Sequence, residues 1–209
     1  PAGSNVLEAA RKNGIPIPGL CYHHKLSSTG ACRLCLVKID GMRGLTTSCT
    51  VKVTEGLKVV AFDQELEETR RFLLNYLLYE YSNHYDGTYP DELRELILRY
   101  GLDKNENRFI KPINHKLDFK TENSSPVLSY DPSKCIKCFR CIKACDEVQG
   151  KNVLSFTGRG TGSWIIAGTG LWGDSECDGC GECIQLCPTG AIVEKPNRTR
   201  IDLSKIEKK

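Results

Sequence analysis

Eight of the twelve cysteines in this 209-residue chain fall into two copies of one run, and that repeat constrains the fold more than any other feature. Cys135-Ile-Lys-Cys138-Phe-Arg-Cys141-Ile-Lys-Ala-Cys145 is answered by Cys177-Asp-Gly-Cys180-Gly-Glu-Cys183-Ile-Gln-Leu-Cys187-Pro188. Each copy reads Cys-x2-Cys-x2-Cys-x3-Cys, the spacing at which three thiolates on a tight loop cap one face of a cubane while the fourth reaches away. The fourth cysteine of such a run serves the other cluster. One [4Fe–4S] cluster, site A, is therefore assigned to Cys135, Cys138, Cys141 and Cys187, and a second, site B, to Cys177, Cys180, Cys183 and Cys145. The repeat predicts a pseudo-twofold unit. Its halves are not equivalent, because Pro188 follows the last cysteine where Asp146 stands in the first half. Two zinc sites or four disulfides are the alternatives, and structural zinc favours two separated cysteine pairs per metal.

The other four cysteines lie at Cys21-x10-Cys32-x2-Cys35-x13-Cys49. This matches neither a cubane run nor the plant-type spacing, yet four ligands suffice for one [2Fe–2S] cluster. The Ser27-Ser28-Thr29-Gly30 stretch is a pliable loop whose backbone N–H groups are expected to point at cluster sulfurs. A structural zinc is the alternative here too. One [2Fe–2S] and two [4Fe–4S] clusters consume all twelve thiols and leave none for disulfides or nucleophilic catalysis.

Three units are expected along the chain. Asn5 or Ser4 caps a short helix that stops at Asn13-Gly14, and Ile15-Pro16-Ile17-Pro18-Gly19 then forces an extended path into Cys21. Leu34–Asp40 and Leu57–Phe62 read as strands, giving a small α+β unit over 1–62. Asp63 caps a helix running to about Tyr81, with Leu66, Leu73 and Leu77 on its apolar face, and Pro90-Asp91-Glu92 opens another that ends at Gly101. These helices and the polar stretch behind them form a connector over 63–126, and the cysteine repeat lies in 127–209. Val153–Phe156 and Trp164–Ala167 read as strands around Gly158-Arg-Gly160-Thr-Gly162. That glycine cluster lacks the phosphate-loop pattern and is expected to be a hairpin turn.

Charge excludes more than it identifies. With 29 basic and 26 acidic residues the net charge is +3, too even to argue for nucleic acid. No apolar run approaches the roughly 18 residues of a membrane span. The local distribution is more telling. Lys134, Lys137, Arg140 and Lys143 interleave the first run, whereas Asp174, Glu176, Asp178 and Glu182 interleave the second. Charge near a cluster shifts its potential, so site A is expected to be the more easily reduced. His23 and His24 are candidates to donate to a sulfur of the first set, and His115 has no ligand partner at motif spacing.

Asn5-Val-Leu-Glu-Ala-Ala-Arg-Lys-Asn-Gly14, Gly30-Ala-Cys32-Arg-Leu-Cys35-Leu-Val and Tyr130-Asp-Pro-Ser-Lys-Cys135-Ile carry a family resemblance. Together they resemble the N-terminal cluster-binding region shared by the large iron–sulfur subunit of NADH dehydrogenase, iron-only hydrogenases, NAD-linked formate dehydrogenase catalytic subunits and hydrogenase diaphorase subunits. The resemblance covers nearly the whole chain. It implies an α+β protein with a β-grasp [2Fe–2S] ferredoxin-like domain, a short helical connector and a two-[4Fe–4S] bacterial-ferredoxin-like domain. It also implies that an N-terminal hairpin precedes residue 1. Between these units the family usually holds a further cluster through His-x3-Cys-x2-Cys-x5-Cys. Counting on from His84, the cysteine places fall on Thr88, Asp91 and Ile97. None replaces a thiolate, so that cluster is expected to be absent, with His84 structural or facing solvent.

The expected function is electron relay between a flavin- or NAD(P)H-handling subunit and a hydrogenase or formate dehydrogenase subunit, in an obligate hetero-oligomer of a reducing cytoplasm. Nothing in the sequence resembles a flavin, nicotinamide, hydrogen-activating or molybdopterin site, so bond-making chemistry is expected elsewhere. The alternatives are the relay part of a larger catalytic chain and a zinc-bound scaffold.

Overall fold

The computed structural model describes residues 3–81, 91–102 and 120–195. Helix α1 (Val6–Lys12) starts where Asn5 Oδ1 accepts from the Glu8 N–H at 2.8 Å. It buries Val6 and Leu7. A three-stranded antiparallel sheet follows, with β1 (Leu36–Ile39) in the middle, flanked by β2 (Thr46–Thr47) and β3 (Val59–Val60). Leu36 faces Thr47 and Lys38 faces Val60. Leu7, Ile17, Val37 and Ile39 pack with Cys35 and Cys49 into one core, so two candidate ligands are part of the first unit's interior.

Helix α2 (Gln64–Tyr81) begins as expected at Asp63, whose Oδ1 accepts from the Leu66 N–H at 2.9 Å. Its fully buried line is Leu66, Arg70, Leu74 and Leu78, and Leu73 and Leu77 pack partly buried against the same core. Strict i, i+4 spacing wins because the guanidinium of fully buried Arg70 reaches the sheet: Nε donates to Leu34 O (3.2 Å), and Nη2 donates to Leu36 O (2.7 Å) and Ala61 O (2.8 Å). A charged donor is tolerated inside when its protons are given to otherwise unpaired carbonyls. Helix α3 (Glu92–Arg99), capped by Asp91, packs Leu93 and Ile97 onto Leu74 and Leu78 of α2 and onto Leu20 and Leu34 of the first unit. Ile136 touches the same core, so the helices do bridge both halves.

The third unit has two antiparallel ladders. β4 (Leu128–Tyr130) pairs with β7 (Ile192–Glu194), and β5 (Leu154–Thr157) pairs with β6 (Trp164–Ala167). The turn between β5 and β6 requires glycine at 158, where φ is +79° and a Cβ would lie 2.4 Å from Gly162 O. The glycine cluster is thus a hairpin turn, as its pattern predicts. Short helix α4 (Arg140–Lys143) runs into a π-helical turn at Ala144–Val148, and α5 (Glu182–Gln185) occupies the matching place in the second half. Leu128, Tyr130, Leu154, Ile165, Trp172 and Ile192 form the core between the ladders.

Polar contacts tie the first unit to the third. Ser27 N donates to Glu147 Oε2 (2.6 Å), Lys143 Nζ donates to Ser27 O (2.8 Å), and Leu26 packs on Ala144 and Leu186. Arg140 is the deepest link: it is paired with Glu92 of α3 and donates to Tyr22 O. No described helix is long and apolar enough to cross a membrane.

Candidate metal centres

The eight repeat cysteines line two cavities. One is walled by Cys135, Cys138 and Cys141 of the first run and by Cys187 of the second, with Tyr130, Ile136, Ile165 and Ile192 around them. The other is walled by Cys177, Cys180 and Cys183 together with Cys145 of the first run. The π-helical turn explains the exchange on one side. It lengthens the run after Cys141 by one residue per turn relative to an α-helix, and Cys145 sits within it. The same turn lets Cys145 Sγ accept from the Val153 N–H at 3.3 Å.

Both loops reach this arrangement through the same backbone conformation. Gly179 and Gly181 have φ of +72° and +83°, and the matching Lys137 and Phe139 have φ of +57° and +66°. Left-handed residues on either side of the second cysteine turn the loop around the cavity, and glycine supplies that shape freely only in the second half. Lys137 N donates to Cys135 Sγ at 3.4 Å as a consequence. Burial pushes the Cys183 thiol up to about 12, and burial also raises Cys135, Cys138 and Cys141. Buried, crowded thiols of this kind become stable as thiolates when a cationic group neutralises them.

Cys21, Cys32, Cys35 and Cys49 also converge. The Cys32 and Cys49 thiols donate to Cys21 and hold it down at about 2, and Cys49 holds Cys35 down at about 6, while Cys32 and Cys49 themselves are raised. The four thiols thus form one interacting set. The N–H donors to it come from Leu20 (to Cys32, 3.4 Å) and Cys32 (to Cys21, 3.5 Å). The Ser27–Gly30 loop, expected to supply them, instead anchors the unit: Ser27 binds Glu147 and Ser28 Oγ donates to Cys49 O at 2.5 Å. His23 and His24 pack on each other with centroids 4.3 Å apart, and His23 Nδ1 accepts from Lys25 N.

Two features are not apparent from the sequence. Arg140 stands among loop charges, but it is buried. Tyr130 stands in a family motif with no role of its own, yet its hydroxyl accepts from Ile165 N at 3.2 Å and its side chain lines the site A cavity together with Cys135. Extending the repeat upstream flags it, since Tyr130 and Trp172 stand five residues before Cys135 and Cys177. The two rings stack 5.5 Å apart at 17°.

Comparison with known proteins agrees with this geometry. The 2Fe-2S iron-sulfur cluster binding domain family matches residues 1–63, and the ferredoxin-like domain of NADH-quinone oxidoreductase subunit 3 matches residues 125–193. A solved structure of NAD+-reducing [NiFe]-hydrogenase in the H2-reduced state superposes with a TM-score of 0.80 at 32% identity, over 92% of this chain and 81% of that one. The chain belongs to the iron–sulfur subunit family of NADH-linked oxidoreductases and hydrogenases. Among its relatives, an NADH-quinone oxidoreductase component of Rhizobium meliloti (strain 1021) is 36% identical over 94% of this chain. The alpha subunit of the NADPH-Fe(3+) oxidoreductase of Geobacter sulfurreducens is 32% identical over 94%. The chain spans about a quarter of the length of these curated relatives, 23% in each case.

The α+β fold and the ferredoxin-like character of both cluster-bearing parts are as the resemblance implies. Of the family's connector positions, Asp91 caps α3 by accepting from Arg94 N, and Ile97 is buried in the helical core. His84, Thr88 and His115 lie outside the described residues.

The charge asymmetry between the two runs is narrower in space than in sequence. Arg140 and Lys143 are paired with Glu92 and Glu147, while Asp178 and Glu182 are paired with Lys151 and Lys25. At least half of the charges that distinguish the runs are thus locally balanced.

Proposed function

We propose that this chain is an electron relay in a multi-subunit redox complex. It holds one [2Fe–2S] cluster on Cys21, Cys32, Cys35 and Cys49, and two [4Fe–4S] clusters on the crossed sets of sites A and B. The observation that carries this is the lining of each repeat cavity by three cysteines of one run and the fourth of the other. Structural zinc takes two separated cysteine pairs, and this three-plus-one lining departs from that pattern. Iron–sulfur clusters, when bound, accept and release single electrons. The chain's own residues hold the thiolates, donate N–H groups to them from Leu20, Cys32, Lys137 and Val153, and keep water out with Ile165, Ile192 and Leu154.

In this reading residues 1–62 carry the [2Fe–2S] domain, 63–126 the connector without the His84 cluster, and 127–209 the two-[4Fe–4S] domain. A flavin- or NAD(P)H-handling subunit supplies electrons and a hydrogenase or formate dehydrogenase subunit takes them, or the reverse, in a permanent complex of the cytoplasm. The coverage of 23% of the curated relatives favours one second reading, in which these residues are the relay portion of a longer catalytic chain. Purification from the native host under argon tests both. A co-purifying flavoprotein, with cluster EPR signals that appear on adding NADH or NADPH, is the expected result. A native polypeptide that itself contains the catalytic domain selects the second reading. Zinc in place of iron ends both.

A further inference from the structure

Sites A and B are related by the repeat, and Tyr130 breaks the relation on one side. Tyr130 is buried at the wall of the site A cavity, on β4. Its hydroxyl oxygen already accepts from the Ile165 N–H, so its single proton is free to turn to the cavity, whose wall Tyr130 shares with Cys135. The matching residue five places before Cys177 is Trp172. Its indole Nε1 is buried with no hydrogen-bond partner, and it is not among the residues lining the site B cavity. Ring stacking is shared by the two positions, but a hydroxyl at the wall of a cysteine cavity exists at one only.

We infer that Tyr130 is a positioning residue for site A: its O–H donates to Cys135 Sγ and raises the reduction potential of the site A cluster above that of site B. This rests on the cluster assignment proposed above. The physical reason is that reduction adds one negative charge, shared by the thiolates, and a hydrogen bond to a thiolate stabilises the more negative state. The proton stays on Tyr130, no bond is made or broken, and the one electron comes from the donor that titrates the protein.

The test is an EPR-monitored redox titration of the full, cluster-loaded chain. In Tyr130→Phe the ring and its stacking remain, and only the O–H is removed. Reduction at site A becomes about tenfold less favourable, a fall of ~59 mV for a one-electron couple, while site B and the first set keep their midpoints. Tyr130→Phe leaves Ile165 N–H without its acceptor, so a second variant guards against a folding defect. Replacement of Tyr130 by 3-fluorotyrosine keeps the O–H and makes it a stronger donor, and the site A midpoint rises. Unchanged site A midpoints in both variants, at full iron content, overturn the proposal. So does an equal shift at every cluster. A wild-type protein without [4Fe–4S] signals is a distinct failure: it removes the cluster assignment itself, and the proposal with it.

Discussion

Arg140 and Glu92 form a two-toothed ion pair, with Nη1 and Nη2 donating to the carboxylate at 2.5 and 2.9 Å, and the arginine is only 3% exposed. Nη2 also donates to Tyr22 O at 2.8 Å, and Arg140 stands directly before Cys141. One side chain thus joins the residue after Cys21, helix α3 and a loop of the cysteine repeat. Arg140→Ala leaves buried Tyr22 O and Glu92 without their donor, a loss of roughly 2–3 kcal/mol after allowing for the half-exposed carboxylate. The melting temperature falls by about 5–10 °C. Bleaching of the [2Fe–2S] and [4Fe–4S] absorption bands, coincident in the parent, separates into two transitions in the variant.

Arg70 makes the corresponding link between α2 and the first sheet. Arg70→Met keeps the stem but strands the buried carbonyls of Leu34 and Leu36 and the partly buried one of Ala61, and costs about 3 kcal/mol. Neighbouring Arg71 is exposed and lies 5.9 Å from the Tyr100 ring, so Arg71→Ala changes stability by less than about 1 kcal/mol. Denaturation curves of the two variants measured side by side check the contrast.

The left-handed glycines of the second loop differ in their surroundings. Nothing lies within 4 Å of a Cβ at Gly181, so Gly181→Ala incurs only backbone strain, about 1–2 kcal/mol. A Cβ at Gly179 would lie 2.9 Å from Val127 Cγ2, so Gly179→Ala costs more. Thermal melts are expected to rank parent, Gly181→Ala, Gly179→Ala in falling order.

The crossed assignment has its own signature. Cys187→Ala removes a wall of the cavity that otherwise belongs to the first run, so it perturbs the EPR signal that responds to Cys138→Ala, and Cys145→Ala perturbs the one that responds to Cys180→Ala. Uncrossed pairing gives the opposite grouping.

The cysteine runs, the Asn5 and Asp63 caps and the β5–β6 hairpin are legible in the sequence because each is local: a spacing, a capping side chain or a glycine turn within a few residues. The β4–β7 ladder is not. Its two strands are three residues each and stand at opposite ends of the third unit, so neither shows a period. Arg70 and Arg140 are hidden for one shared reason. A charged residue looks solvent-facing until long-range carbonyls and carboxylates arrive to take its protons, and those partners come from Leu34, Ala61, Glu92 and Tyr22. The sulfur-directed donors are hidden similarly, since Leu20 N–H is aimed by the path after Pro18 rather than by the serines of the next loop.

Iron and acid-labile sulfide content of anaerobically purified protein, with EPR after dithionite reduction, tests the central claim most directly. One [2Fe–2S] and two [4Fe–4S] clusters predict about ten irons and ten sulfides per chain, with one [2Fe–2S] signal and two interacting [4Fe–4S] signals. About fourteen irons, or zinc in their place, would contradict the account.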